Sequence, residues 1–307
     1  MELFTLTLPN ASREEVLSLS KLLQQELGDL HKEQTVIQLD VTFGEQMSSI
    51  ACSGVLPDFQ LARYGAEVWN RSARALAEFI LSAKEDQLLR SLIQKDTSYE
   101  PEECVKIEDY CLLLLSGGDD TVAGGKEARR RRKKKVMRAI RSYLEENSFL
   151  QMDGFIRFRL QPYMAELQEV VDYAVGEFVL ERQYQEFIAL LKYFVYIQET
   201  KVPLAHLMHS GGHDFTLLNE ELQPFESKHV MDGMIVEMVD CDMEMEDMIV
   251  STLIHVSPQN IVIHTREPDS QVIKTIQQIF EARVHVCVRC NACQAILWQK
   301  QETAPDF

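Results

Sequence analysis

The spacing of apolar and polar residues predicts an N-terminal region that mixes strands and helices. Alternation in "LFTLTLP" predicts a strand, and an amphipathic stretch from Ser12 to Leu27 predicts a helix. The runs "TVIQLDV" and "MSSIACSGV" predict two further strands. From about residue 59 to 93, apolar residues recur every three or four positions, which is typical of a long amphipathic helical stretch.

The middle of the chain is predicted to be mainly helical. From Pro162 to about Gln198, apolar residues follow a helical period and form a stripe that is typical of core packing. Just before it, "FLQMDGFIRFRL" alternates Phe155, Arg157 and Arg159 and predicts a short strand-like element.

The C-terminal region alternates short apolar runs with helical patterns between residues 233 and 288. "MIVEMV", "NIVIH" and "VHVCV" predict three strands, and the two intervening helices are predicted to be capped by Asp242 and by Asp269 or Ser270. Strands that alternate with helices in this way form parallel sheets. The predicted fold class is α/β, mixed α+β overall: a small N-terminal α/β unit, a central helical segment and a C-terminal three-strand parallel βαβαβ unit.

A glycine-rich stretch, "SGGDDTVAGG", suggests where the chain divides, because small polar residues and glycines are typical of linkers. The sequence predicts an N-terminal α/β and helical region, a Gly-rich linker, a basic helix with the central helical region, and a C-terminal α/β unit with a Cys-rich tail. These are residues 1–116, 117–127, 128–200 and 201–307, respectively.

Composition indicates a globular, cytoplasmic protein. Hydrophobic residues make up 46% and charged residues 26% of the 307 positions, a balance that supports a packed core. The first residues do not combine a cationic start with an apolar run, and no segment approaches the roughly 18 apolar residues of a membrane span. Seven cysteines without an export signal argue against a disulfide framework, so the cysteines bunched near the C-terminus are better explained as metal ligands or redox groups.

The net charge of -17 conceals a strongly basic segment between Lys126 and Arg141, which contains one acid, Glu127. Its seven consecutive cations would surround a helix, so we expect this part to project and not to be buried. A projecting polycation binds nucleic acid or an anionic surface without sequence preference. The alternative is a solvated segment, or one docked against the acidic remainder of the chain. The candidate polyanion-binding residues are Arg129, Arg130, Arg131, Arg132, Lys133, Lys134 and Lys135.

The stretch "VHVCVRCNACQ" contains the strongest chemical signal, a regular comb of three cysteines. A C-x-x-C turn can direct two thiolates to one ion, and a tetrahedral zinc site needs four ligands. Because Cys241, His264 and Cys287 each follow or end a predicted parallel strand, we expect them at the same carboxyl edge of the sheet. The candidate metal ligands are therefore Cys287, Cys290, Cys293, Cys241 and His264.

The residues do not identify the cofactor, and zinc and an iron–sulfur cluster both remain open. Leu297 stands where the bacterial ferredoxin run requires its fourth cysteine. A third hypothesis is thiol redox chemistry. A fourth is that these cysteines are buried or simply reduced and have no special chemistry. A further run, "HLMHSGGHDF", places His206, His209 and His213 around a Gly-Gly turn, and the predicted hairpin would scatter these histidines.

One long segment supports a family assignment. The run "FLQMDGFIRFRLQPYMAELQEVVDYAVGEFVLERQYQEFIALLKYFVYIQ", the later "IVSTLIHVSPQNIVIHT" and the cysteine-rich tail resemble the YtxC-like family of sporulation proteins of endospore-forming bacteria. The resemblance covers roughly residues 136 to 293, and more loosely the N-terminal part. It implies a cytoplasmic protein of spore formers and assigns no catalytic residue.

Together these features predict an interaction or regulatory protein associated with sporulation, with an unidentified protein partner, and not an enzyme. The chain has no nucleotide-binding loop, no nucleophile elbow and no paired catalytic carboxylates in a defined context. Two alternatives remain: a protein with a C-terminal zinc or iron–sulfur site, and a nonspecific nucleic-acid binder that acts through the basic helix.

Overall fold

The computed structural model describes residues 1–30, 36–96, 98–117, 122–212, 214–225, 245–287 and 289–290. Within these residues the protein mixes helices with two four-stranded sheets, so the predicted α/β fold class is confirmed. The chain divides into two compact units, Met1–Leu180 and Glu181–Phe307.

The elements of the first unit lie in the chain in the following order. They are β1 (Glu2–Pro9), α1 (Arg13–Leu27), β2 (Ile37–Thr42), β3 (Met47–Gly54), α2 (Leu61–Phe79), α3 (Glu85–Ile93), α4 (Pro101–Ser116), α5 (Val122–Glu146), β4 (Phe149–Gln151), α6 (Met152–Arg159) and the first part of α7 (Gln161–Ile197). Those of the second unit are the remainder of α7, then β5 (Val202–Gly211), β6 (Asp214–Leu218), α8 (Met245–Val256), β7 (Pro258–His264), α9 (Gln271–Phe280) and β8 (Val284–Cys287).

The first sheet has the order β2-β3-β1-β4, with β1 antiparallel to β3 and parallel to β4. The predicted helix from Ser12 to Leu27 is confirmed, because α1 begins at Arg13 behind a capping box. The Glu15 backbone N–H donates to the Ser12 hydroxyl, and the Ser12 backbone N–H donates to the Glu15 carboxylate. Both contacts satisfy N–H groups that a helix start otherwise leaves unpaired.

The long helical stretch predicted for residues 59 to 93 is present as α2 and α3, joined by a π-helical turn at Ile80–Lys84. Its apolar face packs into the core of the first unit, where Leu76, Phe79 and Leu89 are fully buried. The π-helical turn leads directly to Glu85, a buried acid. Such turns are rare and change which side chains face a neighbouring helix.

Helices α4 and α5 approach each other closely where Gly125 lies against Ser116, and both helices belong to the first unit. Gly117 ends α4 in the left-handed conformation, with φ of 101°, a common helix end for glycine. A side chain at Gly125 would collide with the Ser116 carbonyl group. Residues 118–121 lie outside the described residues, and α5 begins at Val122.

The strand-like element predicted over "FLQMDGFIRFRL" is wrong beyond Gln151. Residues Phe149–Gln151 pair with β1, but α6 begins at Met152. The Gln151 side chain accepts a hydrogen bond from the Gly154 N–H at 2.6 Å and caps the helix. Phe155 is buried on the inner face of α6, so its alternation with Arg157 and Arg159 does not indicate a strand.

The second sheet has the order β6-β5-β7-β8, in which β5, β7 and β8 are parallel. Strands β7 and β8 match the predicted "NIVIH" and "VHVCV", whereas "MIVEMV" and the Asp242 cap lie outside the described residues. The first described parallel strand is β5, which also forms the predicted hairpin with β6. One sheet face packs against the end of α7 and against α8 and α9.

A membrane-spanning helix is not found in the part of the chain that the structure describes. None of its helices combines enough length with enough apolarity to cross a bilayer.

Candidate metal centre

The two faces of the second sheet differ in chemistry. Leu207, Ile261 and Ile263 belong to the apolar cluster formed with the helices. Strand side chains alternate between faces, and paired residues on neighbouring strands share a face. The pairs Met208 with His264 and His264 with Cys287 therefore lie on the opposite face. That face carries imidazole, thioether and thiol groups.

Three ligand groups meet on this face at the carboxyl ends of β7 and β8. His264 ends β7 and Cys287 ends β8, side by side, as the sequence predicts. The ligand atoms of His264, Cys287 and Cys290 all lie within 4.8 Å of one another. His264 is buried, and the two cysteines are half-buried. The set matches the nitrogen and sulfur ligands that zinc prefers.

The distance between Cys290 Sγ and His264 Nδ1 is 3.5 Å. Around a tetrahedral zinc ion, Zn–N bonds of about 2.0–2.1 Å and Zn–S bonds of about 2.3 Å put nitrogen and sulfur roughly 3.6 Å apart. His264 and Cys290 are therefore spaced as two ligands of one ion would be.

A second histidine contacts the other side of the His264 ring. Nδ1 of His206 lies 2.9 Å from Nε2 of His264, and the ring centroids are 5.2 Å apart. Burial and the neighbouring His206 lower the pKa of His264. Burial also lowers the pKa of His206, against the opposing effect of the Glu220 carboxylate. Both shifts favour the neutral imidazole, the form in which histidine binds metals.

The histidines predicted around the hairpin have different surroundings. His209 is buried, with Nδ1 2.7 Å from Thr265 Oγ1 and Nε2 3.0 Å from the Gly212 carbonyl oxygen. It also stacks on Phe215 at 4.3 Å between ring centroids. His209 therefore has a structural environment, and His213 lies outside the described residues.

The contact between His206 and His264 is not predicted by the sequence pattern. The predicted hairpin would scatter the histidines, but β5 is also the parallel partner of β7. The period-two spacing of His206 and Met208 puts both on one strand face, but it does not indicate which strand lies beside β5. Of the predicted ligands, the structure brings together His264, Cys287 and Cys290, whereas Cys241 and Cys293 lie outside the described residues.

Comparison with known proteins identifies the family. The model of the YtxC-like family matches residues 70–285. The chain belongs to the YtxC-like family. It is also 26% identical over 216 residues to the uncharacterized protein YtxC of Bacillus subtilis (strain 168), which covers 69% of this chain and 74% of that protein. No solved structure matches the chain. The range matched by the YtxC-like model includes His206 and His264 and ends before Cys287.

The same matched range contains the basic run, which lies in α5. Ion pairs join Arg129 and Lys133 to Glu78, Arg130 to Glu127, Arg132 to Glu85 and Lys135 to Glu166. Within the described ranges, Arg131 and Lys134 are exposed and have no ion pair of this kind. Much of the run is therefore directed at acids of its own unit.

The expectation that no part of the run is buried is wrong for Arg132, which is 3% exposed. Its Nε lies 3.3 Å from Glu85 Oε2, and the Tyr163 hydroxyl donates to the same carboxylate at 2.7 Å. Burial and the Glu85 charge raise the pKa of Tyr163, which therefore stays protonated as the donor. The Glu85 charge compensates part of the hydration that Arg132 loses, and the Tyr163 hydroxyl compensates Glu85 in the same way.

Proposed function

We propose that the protein binds one zinc ion on the second sheet, with His264 Nδ1 and the thiolates of Cys287 and Cys290 as ligands. The observation that carries the proposal is the 3.5 Å separation of His264 Nδ1 and Cys290 Sγ, inside a three-residue group within 4.8 Å. Thiolate and imidazole ligands favour zinc over hard cations such as Mg²⁺, which prefer oxygen.

The spacing favours a single ion over an iron–sulfur cluster. A [2Fe–2S] cluster holds at most two protein ligands on each iron, so a third ligand lies on the other iron and farther away. Three ligand atoms that all lie within 4.8 Å of one another fit a single ion better. The chain also lacks the fourth cysteine of the bacterial ferredoxin run, since Leu297 occupies that position.

A fourth ligand would decide which kind of zinc site this is. Cys241 and Cys293 remain the predicted candidates for it. Four protein ligands make a closed structural site, whereas three ligands and a water molecule leave a coordination position open for chemistry. Either way, the ion would join the ends of β7 and β8 to Cys290, and its binding energy would stabilise that edge.

The experiment compares zinc content after reconstitution in four proteins: the native chain, Cys287→Ser, Cys290→Ser and the control Cys104→Ser. Cys104 is a half-buried cysteine of the first unit, where its thiol contacts the Tyr99 carbonyl oxygen. We expect one zinc per chain in the native protein and the control, and loss of zinc in the other two. Co²⁺ substitution would add thiolate-to-metal absorption that reports how many cysteines bind.

Two results would overturn this assignment. One is a native chain that takes up no zinc, and the other is equal zinc content in all four proteins. If the anaerobically purified native chain contained stoichiometric iron and absorbed visible light, the assigned cofactor would be an iron–sulfur cluster and not zinc.

We also retain the proposal of a cytoplasmic interaction or regulatory role in sporulation, which rests on the family. Pull-down from sporulating cells with the zinc-loaded chain and with Cys290→Ser tests it, because a specific partner should depend on the folded site. Recovery of the bait alone from both would count against this role.

A further inference from the structure

We propose that His206 is a positioning residue of the zinc site: it accepts a hydrogen bond from Nε2 of His264 and thereby directs the unprotonated Nδ1 of His264 at the metal. This role rests on the proposed zinc site and belongs to a residue outside the predicted set of ligands. The His264 ring has a defined contact at each nitrogen, His206 at Nε2 and Cys290 at Nδ1.

Proton counting leaves two arrangements for this chain of contacts. A neutral imidazole carries one proton, on one of its two ring nitrogens. In the first arrangement, His264 donates from Nε2 to Nδ1 of His206 over 2.9 Å, and Nδ1 of His264 presents a lone pair towards Cys290. In the second, His206 is the donor, and His264 carries its proton on Nδ1 and donates it to the Cys290 sulfur.

Only the first arrangement allows His264 to bind zinc through Nδ1. The second would stabilise a Cys290 thiolate and suits the thiol redox reading instead. Metal-bound histidines commonly donate their other N–H to a nearby acceptor, which orients the ring and fixes its tautomer. His206 Nδ1 is the acceptor at the required distance.

The sheet holds His206 in this position. His206 pairs with Val262 on β7, and Met208 pairs with His264, so the two histidines are diagonal neighbours on one face. On the other side, His206 pairs with Leu218 of β6. The acceptor therefore stands on a central strand of the sheet, where the backbone on both sides limits its movement.

The test measures zinc affinity by competition with a chromophoric chelator in the native chain, His206→Leu, His206→Gln and the control His285→Gln. His285 is an exposed histidine of β8. We expect His206→Leu to weaken zinc binding by about 10- to 100-fold, the usual cost of losing such a partner. In His206→Gln, the new side-chain amide oxygen can accept the His264 proton, so this variant should recover most of the affinity. His285→Gln should bind as the native chain does.

A spectroscopic measurement separates positioning from packing. Long-range ¹H–¹⁵N correlation spectra report which imidazole nitrogen carries the proton, and we expect His264 protonated on Nε2 in the native zinc-loaded chain. Native affinity in His206→Leu would overturn the proposal. Equal losses in the Leu and Gln variants would also overturn it, because the effect would then come from packing and not from the hydrogen bond.

Failure of the zinc site itself gives a different result. If the native chain binds no zinc, the proposed function fails, and the spectrum of the metal-free protein decides the role of His206. Protonation on Nε2 would retain His206 as the acceptor, whereas protonation of His264 on Nδ1 would overturn that assignment.

Discussion

Two polar clusters, one in each unit, use different chemistry. In the first unit, Glu85 lies between the buried Arg132 and the Tyr163 hydroxyl, so positive charge, negative charge and a hydrogen-bond donor are combined within the fold. In the second unit, His264 and Cys290 face each other with an imidazole nitrogen and a sulfur, atoms that donate electron pairs to metals. Much of the conspicuous charge run thus pairs with acids of its own unit, while dispersed histidines and cysteines form the candidate binding site.

The cysteines of the two units show the same contrast. Burial raises the pKa of Cys52 to about 12. Burial, with a contribution from Glu108, raises the pKa of Cys111 to about 11. These thiols therefore stay protonated and pack as small apolar groups. Cys287 and Cys290 are half-buried beside His264, where a metal can reach their sulfur atoms.

The largest expected effect comes from breaking the buried ion pair of the first unit. In Glu85→Ala, Arg132 keeps its charge in the core without its carboxylate partner, and Tyr163 loses its acceptor. We expect the free energy of unfolding of this unit to fall by about 3–5 kcal/mol. Hydrogen exchange of α2 and α5 in increasing urea measures this loss for the first unit alone.

The matched control for this variant is Glu145→Ala, which removes an exposed pair with Arg141 four residues earlier. It should cost only about 0.3–0.5 kcal/mol. A double variant, Glu85→Leu with Arg132→Leu, should recover much of the loss, because apolar groups can replace a buried pair. If Glu85→Ala cost no more than the control, the buried pair would not stabilise the first unit.

Removing the metal should affect the second unit and leave the first unchanged. At free zinc 100-fold above its dissociation constant, binding stabilises the folded state by about 2.7 kcal/mol. We therefore expect chelation to speed hydrogen exchange in β7 and β8 by about 100-fold where exchange requires unfolding of the second sheet. Strands β1 and β3 of the first unit serve as the internal control. Equal changes in both sheets, or none in β7 and β8, would contradict a zinc site confined to the second unit.

Local signals predicted the local parts of this fold. The amphipathic pattern from Ser12 to Leu27 located α1, and the short apolar runs located β7 and β8. Because parallel strands end at a common edge, their order in the chain also predicted the meeting of His264 with Cys287.

Contacts between distant segments could not be predicted in this way. Arg132 lies 47 residues from Glu85 in the chain, and His206 lies 58 residues from His264. A run of cations does not indicate which of them meets a buried acid, since that depends on helix packing. The contact between His206 and His264 requires the register of β5 on β7, which no local pattern specifies.

The smallest expected effect is on the binding of nucleic acid by α5. Each phosphate contact contributes about −0.9 to the slope of log affinity against log salt concentration on duplex DNA. If only the exposed Arg131 and Lys134 are available, the slope should be about −1.8, and raising salt from about 50 to 200 mM should weaken binding by only about 12-fold. Titration of the native chain with a labelled duplex at several salt concentrations measures this slope.

Two double variants distinguish available cations from those engaged within the fold. Arg131→Gln with Lys134→Gln should abolish the weak DNA binding and leave stability unchanged, because both side chains are exposed. Arg129→Gln with Lys133→Gln removes both partners of Glu78, so it should reduce stability by under about 1 kcal/mol per pair and leave DNA binding nearly intact. A slope of about −6, with both variants equally impaired, would mean that DNA displaces the carboxylates of the first unit. The basic run would then be a binding surface, and it would no longer differ in this respect from the candidate metal site of the second unit.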